Sequence, residues 1–328
     1  MANLYDGMNV DFEPVLTHES QRVAGTNYRR VSGRRYLAEH HCREAWLVEL
    51  SSRHHPRRVH YWGPAAARAV AHAVERPGSV LGGFSALAVY GMPFLVEGAD
   101  TVLFSATAKN QVGGEFSPTV RRPSRASFSA WVLVDRGVSF RAASPVDALV
   151  QALQQVKKSE HGWDVVGVAG WSPQELMALQ LIDCARRFLG ISLRDIHDGA
   201  RGRVDARWLK RLLACSSSRA DSPKESEMRL LVKELAARYG YTVEEQVPFI
   251  VNGRIVTVFD LAIPELKIAI MYDGAHHLEW KQRKKDSSIT IKMTAAGWTP
   301  ARCASETMFE CLELIEDIMQ KSSRGQPV

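Results

Sequence analysis

Acidic and histidine side chains in the last third of the chain have the types and spacing expected of a hydrolytic metal site. Asp260 lies inside one apolar run, and Asp273 ends the next. A carboxylate in an apolar strand is costly unless it is paired, hydrogen-bonded or bound to a metal ion. Carboxylates on neighbouring strands that gather Mg²⁺ or Mn²⁺ are what metal-assisted phosphodiester hydrolysis requires. His276 and His277 follow shortly after, and a neutral histidine there can act as a general base or position the attacking water.

Glu225 can complete this acidic cluster, but each member except Asp260 also has a plain structural interpretation. Glu225 belongs to Ser-Pro-Lys-Glu, a pattern that predicts a helix start in which the glutamate only caps the helix. Asp273 followed by Gly274 is typical of a turn that ends a strand. The histidine pair is compatible with surface positions or an adventitious metal site. Asp260 is the hardest to explain by structure alone, so we expect it to be central to any site.

The elements that must position these residues follow the order α-β-β-β-α-β-α. Asn252-Gly253 between two β-rich runs predicts a hairpin, and Pro264-Glu265 predicts the next turn. If the second and third strands pair antiparallel about that turn, Asp260 and Asp273 come to lie near one end of the sheet. A charged helix over about 279–296, a strand over 298–303 and a last helix capped by Ser305 complete the series.

A polar, serine-rich segment at 215–226 predicts a linker that divides the chain into about two thirds and one third. Upstream of it the patterns predict a helix-rich part with a few strands. Its helices are expected near 64–74, 84–90, 144–153, 172–185, 192–200 and 205–213, and its strands at 101–106, 129–135 and 138–142. We therefore expect an α/β (α+β) fold class, with an arginine-rich region 1–95, a small α+β region 96–214 and a third region 222–328.

Positive charge is concentrated near the start of the chain. Residues 21–76 contain eleven arginines, no lysine and four acids, a balance of +7 against +6 for all 328 residues. Arginine suits phosphates and guanine edges, and a basic segment attracts a polyanion, usually DNA or RNA. The alternative is a solvated basic surface. The candidate DNA contacts are Arg29, Arg30, Arg34, Arg35, Arg57 and Arg58 here, and Lys281, Arg283, Lys284 and Lys285 in the charged helix.

Composition excludes several other classes of protein. With 45% apolar and 24% charged residues the chain is neither disordered nor collagen-like. No apolar run is long enough for a membrane span, and the first residues do not have the pattern of a signal peptide. Five scattered cysteines argue against a disulfide framework and against a CxxC zinc site, which fits a reducing cytoplasm. No phosphate-binding glycine motif is present.

Several motifs occur in a fixed order between about residues 222 and 303. They are SPKES, Gln246, an aspartate followed by LAIPE, MYDGAHH and AAGW. Together they resemble the restriction-endonuclease-like domain related to very-short-patch repair endonucleases, within the PD-(D/E)XK superfamily. The resemblance implies a metal-dependent DNA-cleaving fold. The implied roles are a metal-binding acid for Asp260, an accessory acid for Glu225, and the rest of the site for Asp273 with His276 or His277.

Met271 departs from that family, because many relatives have glutamate before Tyr-Asp-Gly, and Val258 stands where relatives commonly have arginine. Two functions stay open. Very-short-patch repair endonucleases resemble this arrangement, with an apolar residue there, a backbone carbonyl serving the metal and a histidine as base. In that case the protein is a Mg²⁺-dependent endonuclease with His277 as its base. In the other case the domain has lost its chemistry and serves a DNA-binding transcriptional regulator or antitoxin.

The first part of the chain has a looser resemblance, centred on VLGGFSALAVYGMPF and SPVDALVQAL. Over about residues 20–210 it looks like the antitoxins and transcriptional regulators of abortive-infection type systems. The resemblance implies an N-terminal winged helix, DNA as a partner and a protein toxin as a further partner. The alternative for 85–93 is a core helix with a Gly-Pro stop.

Overall fold

The structure is a computed structural model that describes residues 8–9, 15–123, 128–273 and 280–324, with 8–9 and 280–286 described by their backbone only. Helices and strands are mixed throughout, as expected of the α/β class. The chain forms two compact units, Met1–Val165 with Trp171–Ser216, and Val166–Gly170 with Ser217–Val328. The main division therefore falls inside the predicted linker. The expected regions 1–95 and 96–214 both lie in the first unit, except for Val166–Gly170, which belong to the second.

The first unit contains two sheets among its described residues. One is small and antiparallel, in the order β2-β4-β3, and the other has six strands in the order β1-β8-β9-β5-β6-β7. The winged helix that the resemblance implies stays a prediction. The elements are β1 (Met8–Asn9), β2 (Thr17–His18), β3 (Tyr28–Arg30), β4 (Arg35–Ala38), α1 (Ala45–Arg53), α2 (Ala65–Glu75), β5 (Val80–Gly82), α3 (Gly83–Val89), β6 (Val102–Phe104), β7 (Thr119–Arg121), β8 (Ala130–Asp135), β9 (Val138–Ala143), α4 (Pro145–Lys157), α5 (Pro173–Phe188), α6 (Leu193–Ala200) and α7 (Ala206–Cys215).

Helix caps in this unit follow the predicted signals. The Ser144 hydroxyl accepts a hydrogen bond from the Asp147 backbone N–H at 3.2 Å, with proline in the first turn of α4. A complete capping box between Ser172 and Glu175 starts α5. Every residue of α3, Gly83–Val89, is buried, so this helix is part of the core. The predicted helices and strands of this unit are confirmed to within a few residues.

One aspartate joins distant segments of the first unit. The Asp100 carboxylate accepts hydrogen bonds from the side chains of His55 at 2.8 Å, Tyr61 at 2.6 Å and Thr119 at 2.8 Å. The Arg57 guanidinium donates to both of its oxygens, at 2.9 and 2.7 Å. Burial raises the pKa of Asp100, but these donors outweigh burial and hold the pKa well below its usual range. The carboxylate therefore links the α1–α2 region to β7.

The second unit has the predicted order α-β-β-β-α-β-α. Its sheet runs β10-β11-β12-β13, with β12 and β13 parallel and the other pairs antiparallel. Asn252 and Gly253 have φ of 51° and 74°, the left-handed values that a tight hairpin turn needs. The elements are α8 (Pro223–Tyr239), β10 (Glu244–Val251), β11 (Arg254–Ile263), β12 (Ile268–Tyr272), α9 (Trp280–Ala295), β13 (Thr299–Cys303) and α10 (Met308–Ser323).

Helices cover both faces of this sheet. On one face α8 and α10 pack on a cluster that includes Val232, Ile270 and Ile315. On the other face a smaller cluster around Phe259 and Met293 packs beneath α9. Alternation of apolar side chains along β12 supplies both clusters, which explains why this strand reads as a continuous apolar run.

The expected start of the last helix is wrong. The last helix begins after Thr307 and not at Ser305, whose hydroxyl instead lies 2.7 Å from the Tyr272 hydroxyl. Cys303 and Cys311 form a disulfide between β13 and α10. Their pairing is not visible in the spacing, because the two elements meet only in the fold. Among the described residues, no helix has the length and apolarity needed to cross a membrane.

Candidate functional site

Glu225 is held at the start of α8 by reciprocal hydrogen bonds. Its backbone N–H donates to the Ser222 hydroxyl oxygen at 3.3 Å, which caps the helix. Its carboxylate accepts from the Ser222 hydroxyl at 3.0 Å and from the Asp221 backbone N–H at 2.8 Å. The capping interpretation is therefore correct. The same carboxylate also lines a cavity with Asp260, so capping does not exclude a role in a site.

Asp260 lies where the β10–β11 ladder is irregular. Gln246, opposite Asp260, has a left-handed φ of 55°, unusual for a residue other than glycine. Phe259 belongs to the cluster beneath α9, whereas Leu261 belongs to the cluster on the other face of the sheet, beneath α8 and α10. Residues two apart normally share a face, so the strand changes faces at Asp260. Its carboxylate accepts from the backbone N–H of Tyr272 at 2.6 Å and from the Gln246 side chain.

Glu225 and Asp260 both have pKa values above their usual range. Burial raises the pKa of Glu225 to about 7, and the nearby Asp260 carboxylate adds to the rise. Burial, together with the Asp221 and Asp273 charges, raises the pKa of Asp260 to about 6 against the opposing hydrogen bonds. The two carboxylates line a cavity of about 10 Å³, room for one water-sized species. Such a pair of raised carboxyl pKa values is typical of functional sites.

Charged side chains from neighbouring elements surround this cavity. Arg219, Arg229 and Glu245 line it with the carboxylate pair. Arg229 is 3% exposed and its Nε lies 3.7 Å from a Glu245 carboxylate oxygen. Arg219 donates to the backbone carbonyl of Glu245 at 3.0 Å. The cavity therefore has a positive side next to the two acids, a pattern that can receive an anionic oxygen.

Asp273 lies close to the pair but has a different partner. Its carboxylate accepts from the Arg302 guanidinium at 3.1 and 3.2 Å, and its backbone N–H donates to the Cys303 carbonyl at 2.7 Å. Its charge still raises the pKa of Asp260. The predicted approach of Asp260 and Asp273 is found. An ion pair to Arg302 was not predicted, and it offsets the negative charge of Asp273.

Met271 and Val258, the two departures from the endonuclease pattern, occupy a core position and an exposed strand position. Met271 is 8% exposed and packs in the cluster beneath α9 with Phe249 and Ala269. Val258 is 41% exposed on β11. Met271 thus occupies a core position, where an ionised glutamate would be costly without a partner.

The metal ligands fit in part. Mg²⁺ and Mn²⁺ take hard oxygen ligands, often one or two carboxylates with waters, and Glu225 with Asp260 supplies that chemistry. Within the described residues, no group of three or more His, Cys, Asp or Glu side chains is arranged to hold a metal ion. His276 and His277 lie outside the described residues. The side chains of Lys281, Arg283, Lys284 and Lys285 also lie outside them.

The arginines predicted to contact DNA differ in their exposure and in whether they are paired with an acid. Arg29 pairs with a Glu39 carboxylate at 2.8 Å, and Arg57 binds Asp100. Arg30 donates to backbone carbonyls at 2.7 and 2.8 Å, and Arg35 is half-buried in β4. Arg34 and Arg58 are exposed, and no ion pair to either occurs within the described ranges.

Arg68, in the same segment, is a core residue. It is 2% exposed, stacks 3.9 Å from the Tyr61 ring centroid and donates to the carbonyls of Gly63, Glu97 and Ala99. The charge run at 21–76 is therefore not a uniform basic surface, because several of its arginines bind other parts of the unit.

Sequence reasoning missed Asp221 and the Arg302 partner of Asp273, and it named Gln246 as part of a motif without predicting its irregular backbone. Asp221 precedes the predicted N-cap, which was a usable signal for a third acid near the first turn of α8. Arg302 lies in β13, parallel to β12 in the register Met271↔Arg302, and only this pairing brings it to Asp273.

Comparison of the chain with protein-family models, with curated proteins and with solved structures found no match. The resemblances in the sequence therefore stay predictions. Function has to be argued from the side chains of the site.

Proposed function

We propose that the second unit is a divalent-cation-dependent DNA endonuclease whose site is built on Glu225 and Asp260. The observation that supports this most directly is that two buried carboxylates with raised pKa values line one water-sized cavity. Structural carboxylates paired with cations normally have lowered pKa values, whereas these two are raised. A cluster held in this costly state is a candidate for proton transfer or cation binding.

The chain's residues have separate roles in this proposal. Asp260, held by the Tyr272 N–H, is the fixed acid that binds the cation. Glu225 has a pKa near neutrality, which suits a group that accepts the proton of an attacking water. A bound Mg²⁺ would supply Lewis acidity and lower the pKa of that water. Arg219 and Arg229 lie at the cavity wall, where positive charge favours binding of a phosphate oxygen.

DNA binding is assigned to exposed arginines of the first unit. Arg34 and Arg58 are the best placed of the predicted set, because both are exposed. Contacts of this kind go to phosphates and give affinity without sequence preference. Arg29 and Arg57 contribute less, since each is paired with an acid in the same unit.

The test is nicking of supercoiled plasmid by the full chain in Mg²⁺ or Mn²⁺. Asp260→Asn and Glu225→Gln keep side-chain size and are expected to lower the rate at least about 100-fold. Asp317→Asn is the matched control, since this carboxylate is exposed on α10 of the same unit, and it should leave the rate unchanged. Failure of the parent to nick several DNA substrates with either metal, or equal rates for parent and Asp260→Asn, would reject the proposal.

A second function is favoured by Met271 and Arg302. Met271 packs in the core, and Arg302 offsets the charge of Asp273. Glu245 also lines the cavity but is paired with Arg229 and Lys233, which leaves Glu225 and Asp260 as the candidate ligands among the described lining residues. In this alternative the protein is a DNA-binding transcriptional regulator or antitoxin whose endonuclease-like unit is non-catalytic. Salt-sensitive DNA binding by the parent without any nicking, unchanged in Asp260→Asn, is the result that would select it.

A further inference from the structure

The first unit holds a cavity of about 500 Å³ that the proposed endonuclease does not use. Its lining residues all belong to this unit and come from the start of α3, β6, the end of β7 with the segment after it, α4 with the turn after it, and the loop after α6. This volume is within the range of about 300–1,000 Å³ typical of small-molecule sites. Its charged lining residues are Arg121, Arg122, Lys158, Arg203 and one acid, Glu160.

Two of the four cations are held in place by acids. Arg121 donates through Nη2 to a Glu160 carboxylate oxygen at 2.8 Å. Arg203 is paired with Asp147 through Nη1, which also donates to the Gly199 carbonyl at 3.2 Å. Each guanidinium therefore uses one nitrogen within the described residues and keeps N–H donors for a ligand. A side chain that is already held loses less freedom when a ligand binds.

The other two cations have no such partner. Arg122 and Lys158 are exposed at the cavity, and neither takes part in an ion pair found in the described part of the chain. Because Glu160 offsets Arg121 and Asp147 offsets Arg203, the charge left at the cavity is that of Arg122 and Lys158. A concave surface with this excess of positive charge attracts an anion.

Gln151 adds a buried donor to these cations. It is 7% exposed and lines the cavity. Its Oε1 accepts the Gly83 backbone N–H at 2.9 Å, which fixes the orientation of the amide. Its Nε2 donates no hydrogen bond within the described ranges, and it is not among the unpaired side-chain atoms there that are sealed from solvent. An amide donor left unpaired in a buried place costs about 1–3 kcal/mol, so a ligand oxygen beside it is stabilising.

The chemistry of these groups selects the kind of anion. The guanidinium, ammonium and amide nitrogens are all donors, and they come from three separate segments of the unit. A phosphate monoester offers three acceptor oxygens and up to two negative charges, and arginine forks match its geometry. Phe104 and Phe128 give the cavity an apolar side, with ring centroids 5.1 Å apart. Such rings favour an aromatic group on the ligand.

We propose that this cavity binds a phosphate monoester carried by an aromatic group, either on a free small molecule or at the phosphorylated end of a nucleic-acid strand. The cations and the Gln151 amide bind the phosphate oxygens, and Phe104 and Phe128 contact the aromatic group. The proposal does not rest on the endonuclease, because its contacts are confined to the first unit and binding needs no cleavage.

Calorimetric titration of the full chain with phenyl phosphate, inorganic phosphate and phenol tests the proposal. Phenyl phosphate is expected to bind at least about tenfold more tightly than inorganic phosphate, which lacks the ring. Phenol lacks the charged oxygens and should give no measurable binding. Failure of phenyl phosphate to bind, or binding no tighter than that of phenol, would overturn the proposal.

Two variants test the residues. Arg122→Gln with Lys158→Gln removes both exposed charges and should weaken phenyl phosphate at least about tenfold. Gln151→Glu keeps an acceptor for the Gly83 N–H, replaces the donor by an oxygen and should weaken phenyl phosphate by at least as much. If Gln151→Glu fails to fold by circular dichroism, the exposed double variant decides alone.

Arg194→Gln with Lys210→Gln is the matched control, because it makes the same two changes at exposed positions on α6 and α7 that do not line the cavity. This control should bind like the parent. Loss of affinity equal to that of the cavity double variant would show that only net charge matters, and cavity variants that bind like the parent would show that the site is not here. Either result rejects the proposal.

Oligonucleotides of one sequence, with a 5′-phosphate or a 5′-hydroxyl, distinguish the two sources of the ligand. They are titrated in EDTA, so that the proposed nuclease is inactive. Tighter binding of the phosphorylated strand that is lost in the cavity double variant assigns the site to a strand end. Equal binding of both strands, together with binding of phenyl phosphate that the same variant loses, assigns it to a free small molecule.

Discussion

The backbone N–H of Tyr272 donates a hydrogen bond to the carboxylate of Asp260 at 2.6 Å, across the β11–β12 pair. The donor is part of the main chain, so among substitutions at position 272 only proline removes it. It fixes the acid at the place where β11 changes faces, within reach of Glu225 on α8. The cost of burying two acids together should then appear in the stability of the protein.

Glu225→Gln is expected to stabilise the protein at alkaline pH. A carboxyl whose pKa rises from 4.5 unfolded to about 7 folded contributes stability below pH 4.5, and loses it as pH rises through 7. The parent's free energy of unfolding should therefore fall between pH 5 and 8. The free energy of unfolding of Glu225→Gln should be higher than that of the parent by up to about 3 kcal/mol at pH 8, and the two should be equal near pH 5. Urea unfolding across this range measures both.

Glu313→Gln serves as the control for that series, because Glu313 is exposed on α10. It should follow the parent at every pH. A Glu225→Gln curve parallel to the parent would contradict the assigned burial of this acid.

Asp100→Asn is expected to destabilise the first unit by about 3 kcal/mol at pH 7, because four donors lose a charged acceptor. The pKa of Asp100 is lowered, so its contribution is present above an unfolded value near 3.8 and is lost as pH falls. The gap between variant and parent should narrow below pH 4. Thermal unfolding of both proteins at several pH values checks the direction.

Asp198→Asn provides the comparison on α6, where the carboxylate is 51% exposed and pairs only with surface groups. Its effect should stay within about 0.5 kcal/mol. Equal losses for the two variants would mean that Asp100 is no more than a surface acid.

Arg34→Gln with Arg58→Gln is expected to weaken DNA binding without lowering stability. If both side chains contact phosphates, the slope of log K against log salt should fall by about 1.8. Arg68→Met should instead lower the melting temperature, because its guanidinium binds three buried carbonyls and the Tyr61 ring. Fluorescence anisotropy at several salt concentrations tests the first pair, and calorimetry tests the last. An unchanged slope in the double variant would remove these arginines from the DNA surface.

Thiol labelling is expected to distinguish two classes of cysteine. Protein unfolded in guanidinium without reductant should take up three equivalents of iodoacetamide, at Cys42, Cys184 and Cys215. After reduction all five should react, because Cys303 and Cys311 are joined. Mass spectrometry counts the adducts. Five adducts before reduction, from protein purified without reductant, would show that the bond is not formed.

Local signals in the sequence were enough to predict most elements. Serine caps, the Asn252-Gly253 turn and apolar periodicity gave the order of the second unit, since each acts within a few residues. They also suggested that Asp260 and Asp273 approach one another, because one antiparallel turn fixes that geometry.

Contacts between distant segments were not accessible in the same way. Arg302 reaches Asp273 only through a parallel pairing that crosses over by way of α9, and the cysteine pair depends on how α10 packs. The arginine run shows the same limit. Charge counts gave +7 for 21–76, but whether an arginine such as Arg68 lies in the core depends on carbonyls that the spacing does not reveal.

The hydrogen bonds of Asp100 bear on how the protein can be dissected. A fragment that ends near residue 95 would retain His55, Arg57 and Tyr61 without their shared acceptor, and β5 would lose both neighbours in its sheet. Its complement would begin with an acid that has lost three of its four donors. Both pieces would lose buried polar contacts, so truncation analysis should cut at residue 216 and not near residue 95.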